Sequence, residues 1–446
     1  MLLKFVDRAN ELESLKKLHE SKNPEFVIMY GRRRMGKTEL VKEFMKNDKH
    51  FYFLAKQENL TLEFERFKEK FARKFNIFLE GKNWEELFEE ITEKVKERLI
   101  LIIDEFPYWI AKNDGILSEF QYLWDELLSK KDVMLILLGS YVSVMEQKVL
   151  GYKSPLYGRR TAQMEIKQLP IKCLSDFFPE YSTEDLIRTY GMLDTIPYYL
   201  IQFDGTRGLW QNVRETFFNS SNPTYMDAEI LLSAKLREYN TYFNITKAIL
   251  DGATKMSEIA GKAKVDITNI SKYLKVLMGL KVIKKVKPVT ASPREKNYIY
   301  DLEDNYFRFW LTYVYPFKEE IEEYPEEHLE FVKKNYPRYM GKVFENLVEK
   351  SARGLVNGNF SKFGKWWYRD VEIDLLALNE KEVLFGECKW QNNVNASKVL
   401  EELKAKSKHV KIEKRNERYA IFARSFKEKS EECMCFDMRD MERIFK

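Results

Sequence analysis

With 446 residues, 44% of them apolar, the chain suits a globular protein of roughly two to four domains, and its four scattered cysteines support neither a disulfide framework nor a structural zinc site. Charged residues reach 33%, dominated by Lys and Glu, yet the net charge is only +5, so a nucleic-acid partner must be argued from local patches. No apolar run approaches roughly 18 residues, and Lys4, Asp7, Arg8 and Glu11 break any signal-peptide core, which predicts a soluble, cytoplasmic protein with no membrane partner.

Phe5-Val6-Asp7-Arg8 leads into an amphipathic helix through Leu15 and Leu18. Phe26–Tyr30 follows as a short β-prone run, and Gly31–Thr38 then matches G-x-x-x-x-G-K-[ST]. Beyond it, Leu40, Val41 and Phe44 fall on one helical face and Glu39, Lys42 and Glu43 on the other. Strand, loop and helix in that order are the setting in which this motif binds phosphate. Gly31 and Gly36 let the backbone curl so that successive N–H groups converge on an anion at a helix start. The loop residues Gly31, Arg32, Arg33, Arg34, Met35, Gly36, Lys37 and Thr38, with Glu39 next on the helix, are therefore the expected nucleotide contacts. Lys37 addresses the β- and γ-phosphates and the Thr38 hydroxyl ligates Mg²⁺. The predicted cofactors are ATP and Mg²⁺.

A strand at 51–54 and helices over 60–75 and 84–98 come next. Leu99–Glu105 is a second anchor: five apolar residues suited to a buried parallel strand, then two carboxylates at its end. Asp104 is expected on the metal, and Glu105 as the general base that polarises water. A third buried strand, Val133–Leu138, ends in Gly139-Ser140, where Ser140 either senses the γ-phosphate or caps a helix. In Leu156-Tyr157-Gly158-Arg159-Arg160-Thr161, Arg159 and Arg160 either stabilise transition-state charge, in cis or from a neighbouring subunit, or form an exposed basic turn.

FVDRANEL, YGRRRMGKTEL, LIIDEFPYW, LLGSYVSVME and SPLYGRRT together resemble the archaeal ATPase family, AAA+-like P-loop ATPases of the signal-transduction (STAND) type. The resemblance implies that Phe5 and Arg8 lie near the adenine, as does Pro197 in a segment where the family carries Gly-Gly-x-Pro-Tyr-Tyr-Leu. Here that segment reads Asp194-Thr195-Ile196-Pro197-Tyr198-Tyr199-Leu200, without the glycines.

Residues 227–250 read as helical. A short helix from Met256, a second over Ile267–Met278 capped by Asp266, and strands at 281–286 and 297–300 give the winged-helix order. Lys272, Lys275, Lys281, Lys284, Lys285, Lys287, Arg294 and Lys296 make this the most basic part of the chain, and Lys272, Lys275, Lys285 and Arg294 are the expected contacts to double-stranded DNA. A structural lid whose lysines merely solvate its outer face is the alternative.

After an aromatic and acidic stretch comes a helix over 341–352 carrying Glu345. Then follow Trp366-Trp367-Tyr368, Val371–Leu378 and Val383–Gln391. Period two places Glu387 and Lys389 on one strand face, and Asp374 beside Glu387 gives two carboxylates for a second divalent cation, with Glu345 as a further ligand. Lys389 would orient or activate the attacking water. This arrangement resembles the PD-(D/E)xK nuclease superfamily, which the archaeal ATPases often carry at this position. A structural ion pair, or a silent domain that only grips DNA, is the alternative.

The expected fold is α/β: a P-loop NTPase parallel sheet, a helical and winged-helix middle, and a restriction-endonuclease-like α/β end. Expected boundaries are 1–170 for the ATPase domain, 171–240 for a helical lid, 241–305 for the winged helix, 306–335 for a linker and 336–446 for the nuclease-like domain. The expected function is a Mg²⁺-dependent ATP-hydrolysing switch acting on DNA, with ATP or ADP, double-stranded DNA and further copies of the chain as partners. The alternative is a nucleotide-gated DNA- or protein-binding regulator with a silent C-terminal domain.

Overall fold

The computed structural model describes residues 5–46, 49–233, 239–292, 294–412 and 415–446. The helical stretch expected at 227–250 appears as helices Pro223–Ser233 and Tyr239–Leu250, and the residues between them lie outside the described ones. The chain forms two compact units, one of Met1–Leu169 with Ile196–Tyr198 and one of Pro170–Thr195 with Tyr199–Lys446.

In the first unit, strands β1 (Glu25–Tyr30), β2 (His50–Leu54), β3 (Leu99–Asp104), β4 (Val133–Gly139) and β5 (Ala162–Glu165) form a parallel sheet ordered β2-β3-β4-β1-β5. Every residue of β1, β3 and β4 is buried, which is why they read as unbroken apolar runs: a sheet covered on both faces has no use for alternation. The covering helices include α1 (Ala9–Glu20), α2 (Lys37–Phe44), α3 (Leu60–Phe75), α4 (Trp84–Lys94) and α5 (Pro107–Lys112). Phe51 and Phe53 of β2 meet Phe67 of α3 at 4.9 and 5.1 Å between ring centroids, and Trp84 meets Trp109 at 5.2 Å. Buried in this aromatic core is the Glu63 carboxylate, which accepts from Trp109 Nε1 at 2.8 Å, the Lys56 amide at 2.8 Å and Arg66 Nε at 2.9 Å. A buried charge is tolerable only with its lone pairs filled in this way.

The sheet order decides what meets at its carboxyl edge. Because β4 lies between β1 and β3, three strand ends stand side by side: the loop after β1, Gly139-Ser140 after β4, and Asp104-Glu105 after β3. That edge is where open α/β sheets bind ligands.

In the second unit, α6 (Thr183–Leu193) packs near α9 (Asn305–Tyr313). Between them in sequence come α7 (Met256–Ala263), α8 (Ile267–Gly279), and an antiparallel hairpin of β6 (Ile283–Val286) and β7 (Ile299–Leu302). Asp266 caps α8 as expected, its Oδ1 accepting from the Thr268 amide at 2.8 Å. The unit ends in a mixed sheet built from β8 (Lys362–Tyr368), β9 (Val371–Leu378), β10 (Glu382–Lys389), β11 (Asn416–Ala423) and β12 (Met434–Phe436). Its order is β12-β11-β10-β9-β8, and it is flanked by α10 (Pro325–Leu355) and α11 (Ala396–Ser407). β8, β9 and β10 run antiparallel as hairpins, while β10, β11 and β12 are parallel. An additional α/β domain therefore closes the chain.

The segment 306–335, expected as a linker, is not one. Tyr306, Phe309 and Trp310 are fully buried, and the helix expected at 341–352 is the end of the 31-residue α10 that begins at Pro325. Pro316 and the acidic run suggest a break, but the aromatics before it are core: Tyr306 stacks on Tyr199 at 3.8 Å, and the Phe309 and Phe217 rings meet at a tilt with centroids 4.6 Å apart.

Candidate active site

The loop between β1 and α2 turns through left-handed backbone at Arg34 (φ 74°) and Gly36 (φ 78°). A Cβ on Gly31 would come within 2.3 Å of the Ile166 carbonyl oxygen, so only glycine fits there. The amides of Lys37, Thr38 and Glu39 open α2, and the first amide to bond back into the helix is that of Leu40, to Gly36 O at 2.9 Å. The loop thus ends in amides with no intrahelical acceptor, at the positive end of a helix.

Lys37 Nζ lies in this turn and donates to the carbonyls of Gly31 at 2.8 Å and Arg32 at 3.0 Å. Burial pushes its ammonium down to about 8, against the opposing pull of Glu105 and Asp104. Thr38 Oγ1 donates to Asp104 Oδ2 at 2.8 Å, which joins the two motifs across the strand ends. Asp104 Oδ1 accepts the Glu105 amide at 2.8 Å. Glu105 itself sits at φ 56°, a strained setting for a non-glycine residue, and its Oε2 accepts from Ser140 Oγ at 2.8 Å. Ser140 therefore faces the acid rather than capping a helix; the short helix that follows has Tyr141 at its cap position.

Two of the loop arginines diverge. Arg33 donates to Tyr108 Oη at 2.7 Å and to Ser140 Oγ at 3.5 Å, and lies 5.5 Å from the Tyr141 ring. Arg34 covers the Tyr198 ring at 4.2 Å and its carbonyl accepts the Tyr198 amide at 3.4 Å. Pro197, in the same three-residue segment, has Cγ 3.9 Å from where a Cβ on Gly36 would stand. Arg8 is buried, with Nη2 donating to the carbonyls of Met35 at 3.0 Å and Lys167 at 2.6 Å, and so braces the loop from behind. Phe5 is exposed. Arg159 forms a forked pair with Asp125 at 2.8–2.9 Å. Arg160, by contrast, keeps Nη1 out of solvent with no hydrogen-bond partner among the described residues, its guanidinium 5.7 Å from the Tyr157 ring.

Sequence reasoning missed Tyr52, whose hydroxyl donates to Asp104 Oδ2 at 2.7 Å, and Tyr108, the partner of Arg33. The signal for Tyr52 was present: in a strand that alternates His50, Tyr52, Leu54 against Phe51 and Phe53, a polar-tipped aromatic sits on the non-core face.

In the second unit, carboxylate oxygens of Glu345, Glu372 and Asp374 lie within 4.8 Å of one another. Glu387 is not in that trio; it is held by Lys389 at 2.8 Å and by Lys406, which reaches both its oxygens at 2.8 Å. Glu345 pairs with Lys365 at 2.6 Å and Lys342 at 3.2 Å. Asp374 accepts the Cys388 amide at 2.9 Å, and burial, with Glu345 and Glu387 nearby, pushes its carboxyl up to about 7. Glu372, Lys365 and Lys406 were not anticipated. Two residues before Asp374 on one strand, Glu372 shares its face. The lysines come from elements whose approach no local pattern records.

On α8 and the hairpin, Lys272, Lys275, Lys285 and Arg294 are all exposed. Lys285 lies over the Tyr298 ring at 4.3 Å.

Strand order, loop and paired acids define a P-loop nucleotide-binding ATPase domain. Residues 5–203 match the model of an ATPase domain predominantly from Archaea, and residues 310–419 match a family of archaeal and bacterial proteins of unknown function. An uncharacterised protein of Methanocaldococcus jannaschii is 35% identical over 446 residues, 98% of this chain and 99% of its own length. Among solved structures, the Walker-type ATPase of Pyrococcus abyssi superposes with a TM-score of 0.52 at 22% identity, over 69% of this chain and 96% of that one. The Orc2 protein of Aeropyrum pernix, determined in ADPNP–ADP complexes, superposes at 0.51 and 13% identity, over 72% and 95%. The chain belongs to the archaeal ATPase family.

Proposed function

We propose that the chain is a Mg²⁺-dependent ATP-hydrolysing switch that acts on double-stranded DNA through its second unit. The observation that carries the reading is the linked set Lys37, Thr38, Asp104, Glu105 and Ser140 at one sheet edge, joined by the 2.8 Å Thr38–Asp104 and Ser140–Glu105 bonds. The donor set suits the metal: Thr38 Oγ1 and the Asp104 carboxylate are hard oxygens of the kind Mg²⁺ takes, and the ion would offset phosphate charge when bound. Lys37 and the α2 amides bind the phosphates. Glu105 takes the proton from the attacking water, and Ser140 holds its carboxylate in place until then. Arg160 is the arginine available for charge that develops on the transferred phosphoryl group, in cis or in a homo-oligomer, since Arg159 is held by Asp125.

The DNA part of the reading is supported by the helix, helix, hairpin order of α7, α8, β6 and β7, which is the winged-helix order. It is supported further by the exposed basic residues that α8 and the hairpin present. The C-terminal sheet is read as nuclease-like, with Asp374, Glu345 and Glu387 as its acids, Lys389 as the lysine beside them, and a second divalent cation on the acids. One observation favours a second reading, a regulator whose C-terminal domain is silent: Glu387 and Glu345 are each already neutralised by two lysines.

ATP turnover measured with and without double-stranded DNA, in Mg²⁺ and then Mn²⁺, with the DNA run on a gel afterwards, separates these. Stimulated turnover with cut DNA supports the nuclease, and stimulated turnover with intact DNA supports the silent regulator. Turnover that persists in Lys37→Ala removes the ATPase assignment of this site.

A further inference from the structure

Asp104 is held by three donors. Its Oδ1 takes the Glu105 amide at 2.8 Å, while its Oδ2 takes two hydroxyls, Thr38 Oγ1 at 2.8 Å and Tyr52 Oη at 2.7 Å. Two of these come from within the loop and acid motifs. Tyr52 does not: it arrives from β2, the strand beside β3 at the edge of the sheet. The parallel register sets Tyr52 level with Ile102 and Leu54 level with Asp104. Phe51 and Phe53 turn into the aromatic core, so Tyr52 is on the opposite face, half-buried, with a side chain long enough to cover the two-residue step to the carboxylate.

We propose that Tyr52 is a positioning residue of the ATPase site, fixing the Asp104 carboxylate in the orientation that Thr38 also addresses and thereby setting how well the site takes its divalent cation. The proposal rests on the reading of Asp104 as the metal-holding acid. The Glu105 amide on Oδ1 and Thr38 on Oδ2 already orient the carboxylate. A second hydroxyl on Oδ2, in a charge-assisted bond, tightens that hold before any cation arrives, from an element outside the two motifs. Partners of this kind are worth about 10–100-fold in metal affinity where they have been removed.

Tyr52→Phe in the full chain deletes one oxygen and keeps the ring. Binding of a fluorescent ADP analogue, first in EDTA and then across a Mg²⁺ titration, gives two independent readouts. Affinity in EDTA should match the unaltered chain, while the Mg²⁺ concentration for the half-maximal gain in affinity should rise about tenfold. Asp104→Asn should erase the Mg²⁺-dependent gain, and adding Tyr52→Phe to it should change nothing further. An unshifted Mg²⁺ titration in Tyr52→Phe, with the gain lost in Asp104→Asn, overturns the role of Tyr52 alone. Loss of affinity in EDTA overturns it too, since Tyr52 would then be a contact of the nucleotide or the fold. If Asp104→Asn keeps its gain, the metal reading of Asp104 fails, and this inference fails with it.

Discussion

Lys37 answers two opposed demands. Phosphates need it as an ammonium, yet its burial in the loop pushes it down to about 8, so near that pH half the free protein carries a neutral lysine. A bound polyphosphate stabilises the charged form, so the complex holds more protons than the free protein above that value, and affinity must fall as pH rises. Affinity for ADP should be level below pH 7 and weaken by up to about tenfold per unit above 8, where the free lysine is neutral and the bound one charged. Titration of a fluorescent ADP analogue from pH 6 to 9.5 checks this, and Lys37→Arg, always charged, should flatten the profile. Asp194 shows a different tension. It stands where the family carries glycine, at φ 54° and ψ −146°, a region costly for any residue with a Cβ. Its carboxylate compensates by accepting the Thr195 amide at 3.0 Å and the Asn305 amide at 3.3 Å, with Lys350 Nζ at 3.8 Å. Asp194→Gly and Asp194→Ala both lose those contacts, but only Ala keeps the strain. The glycine variant should be the more stable by about 1 kcal/mol in urea titrations. Equal midpoints would mean the backbone there relaxes without cost.

Among the elements, the join between the hairpin and α9 carries the clearest stake in stability. Asp301 on β7 and Arg308 on α9 pair at 2.7 Å, both almost out of solvent. Burial works against the Asp301 charge, but Arg308 and then Lys342 outweigh it and hold its carboxyl at about 2. A carboxyl held below its unfolded value contributes stability that is complete above about pH 4 and is lost as pH falls towards 2. Asp301→Asn, which leaves a buried guanidinium without its counter-charge, should therefore cost about 3 kcal/mol at pH 7. The gap from the unaltered chain should close between pH 4 and 2. Denaturant titrations at both ends of that range measure it, and a gap independent of pH would assign the loss to packing. Elements of this kind also mark how far the sequence could be read. Strands β1, β3 and β4 were legible because burial on both faces forces unbroken apolar runs, and α3 because its phenylalanines keep helical spacing. β5 was not: its four residues alternate between half-buried and exposed and lie at the edge, where one partner strand suffices. The linker expected at 306–335 was not legible as structure because Pro316 and the acidic run 319–327 read as a break, while the aromatics of α9 are buried against helices far away in the sequence.

At the scale of the whole molecule, the nucleotide site was more legible than the C-terminal one for a physical reason. A phosphate-binding loop is made by one contiguous stretch whose glycines, lysine and threonine are all local, and the acids it needs end the strand two places along the sheet. The acidic cluster of the second unit is assembled from α10, β9 and β10 with lysines from β8 and α11, so its pairings exist only once those elements pack. The same division predicts the unfolding of the chain. The first unit packs around Phe67, Trp84 and Trp109, while the second buries Tyr306, Phe309 and Trp310 and, in its C-terminal sheet, separate clusters around Phe385 and Ile421. Calorimetry should therefore resolve two transitions rather than one, since cooperativity is a property of a shared core. A nucleotide bound at the β1–α2 loop stabilises only the unit that holds it, by about 2.7 kcal/mol at a hundredfold excess over Kd. Saturating Mg-ADP should move one transition upward and leave the other in place, and Lys37→Ala should abolish the movement. If both transitions shift together, or only one is seen and it moves as a whole, the two units unfold as a single cooperative body and their boundary at Leu169 is topological rather than energetic.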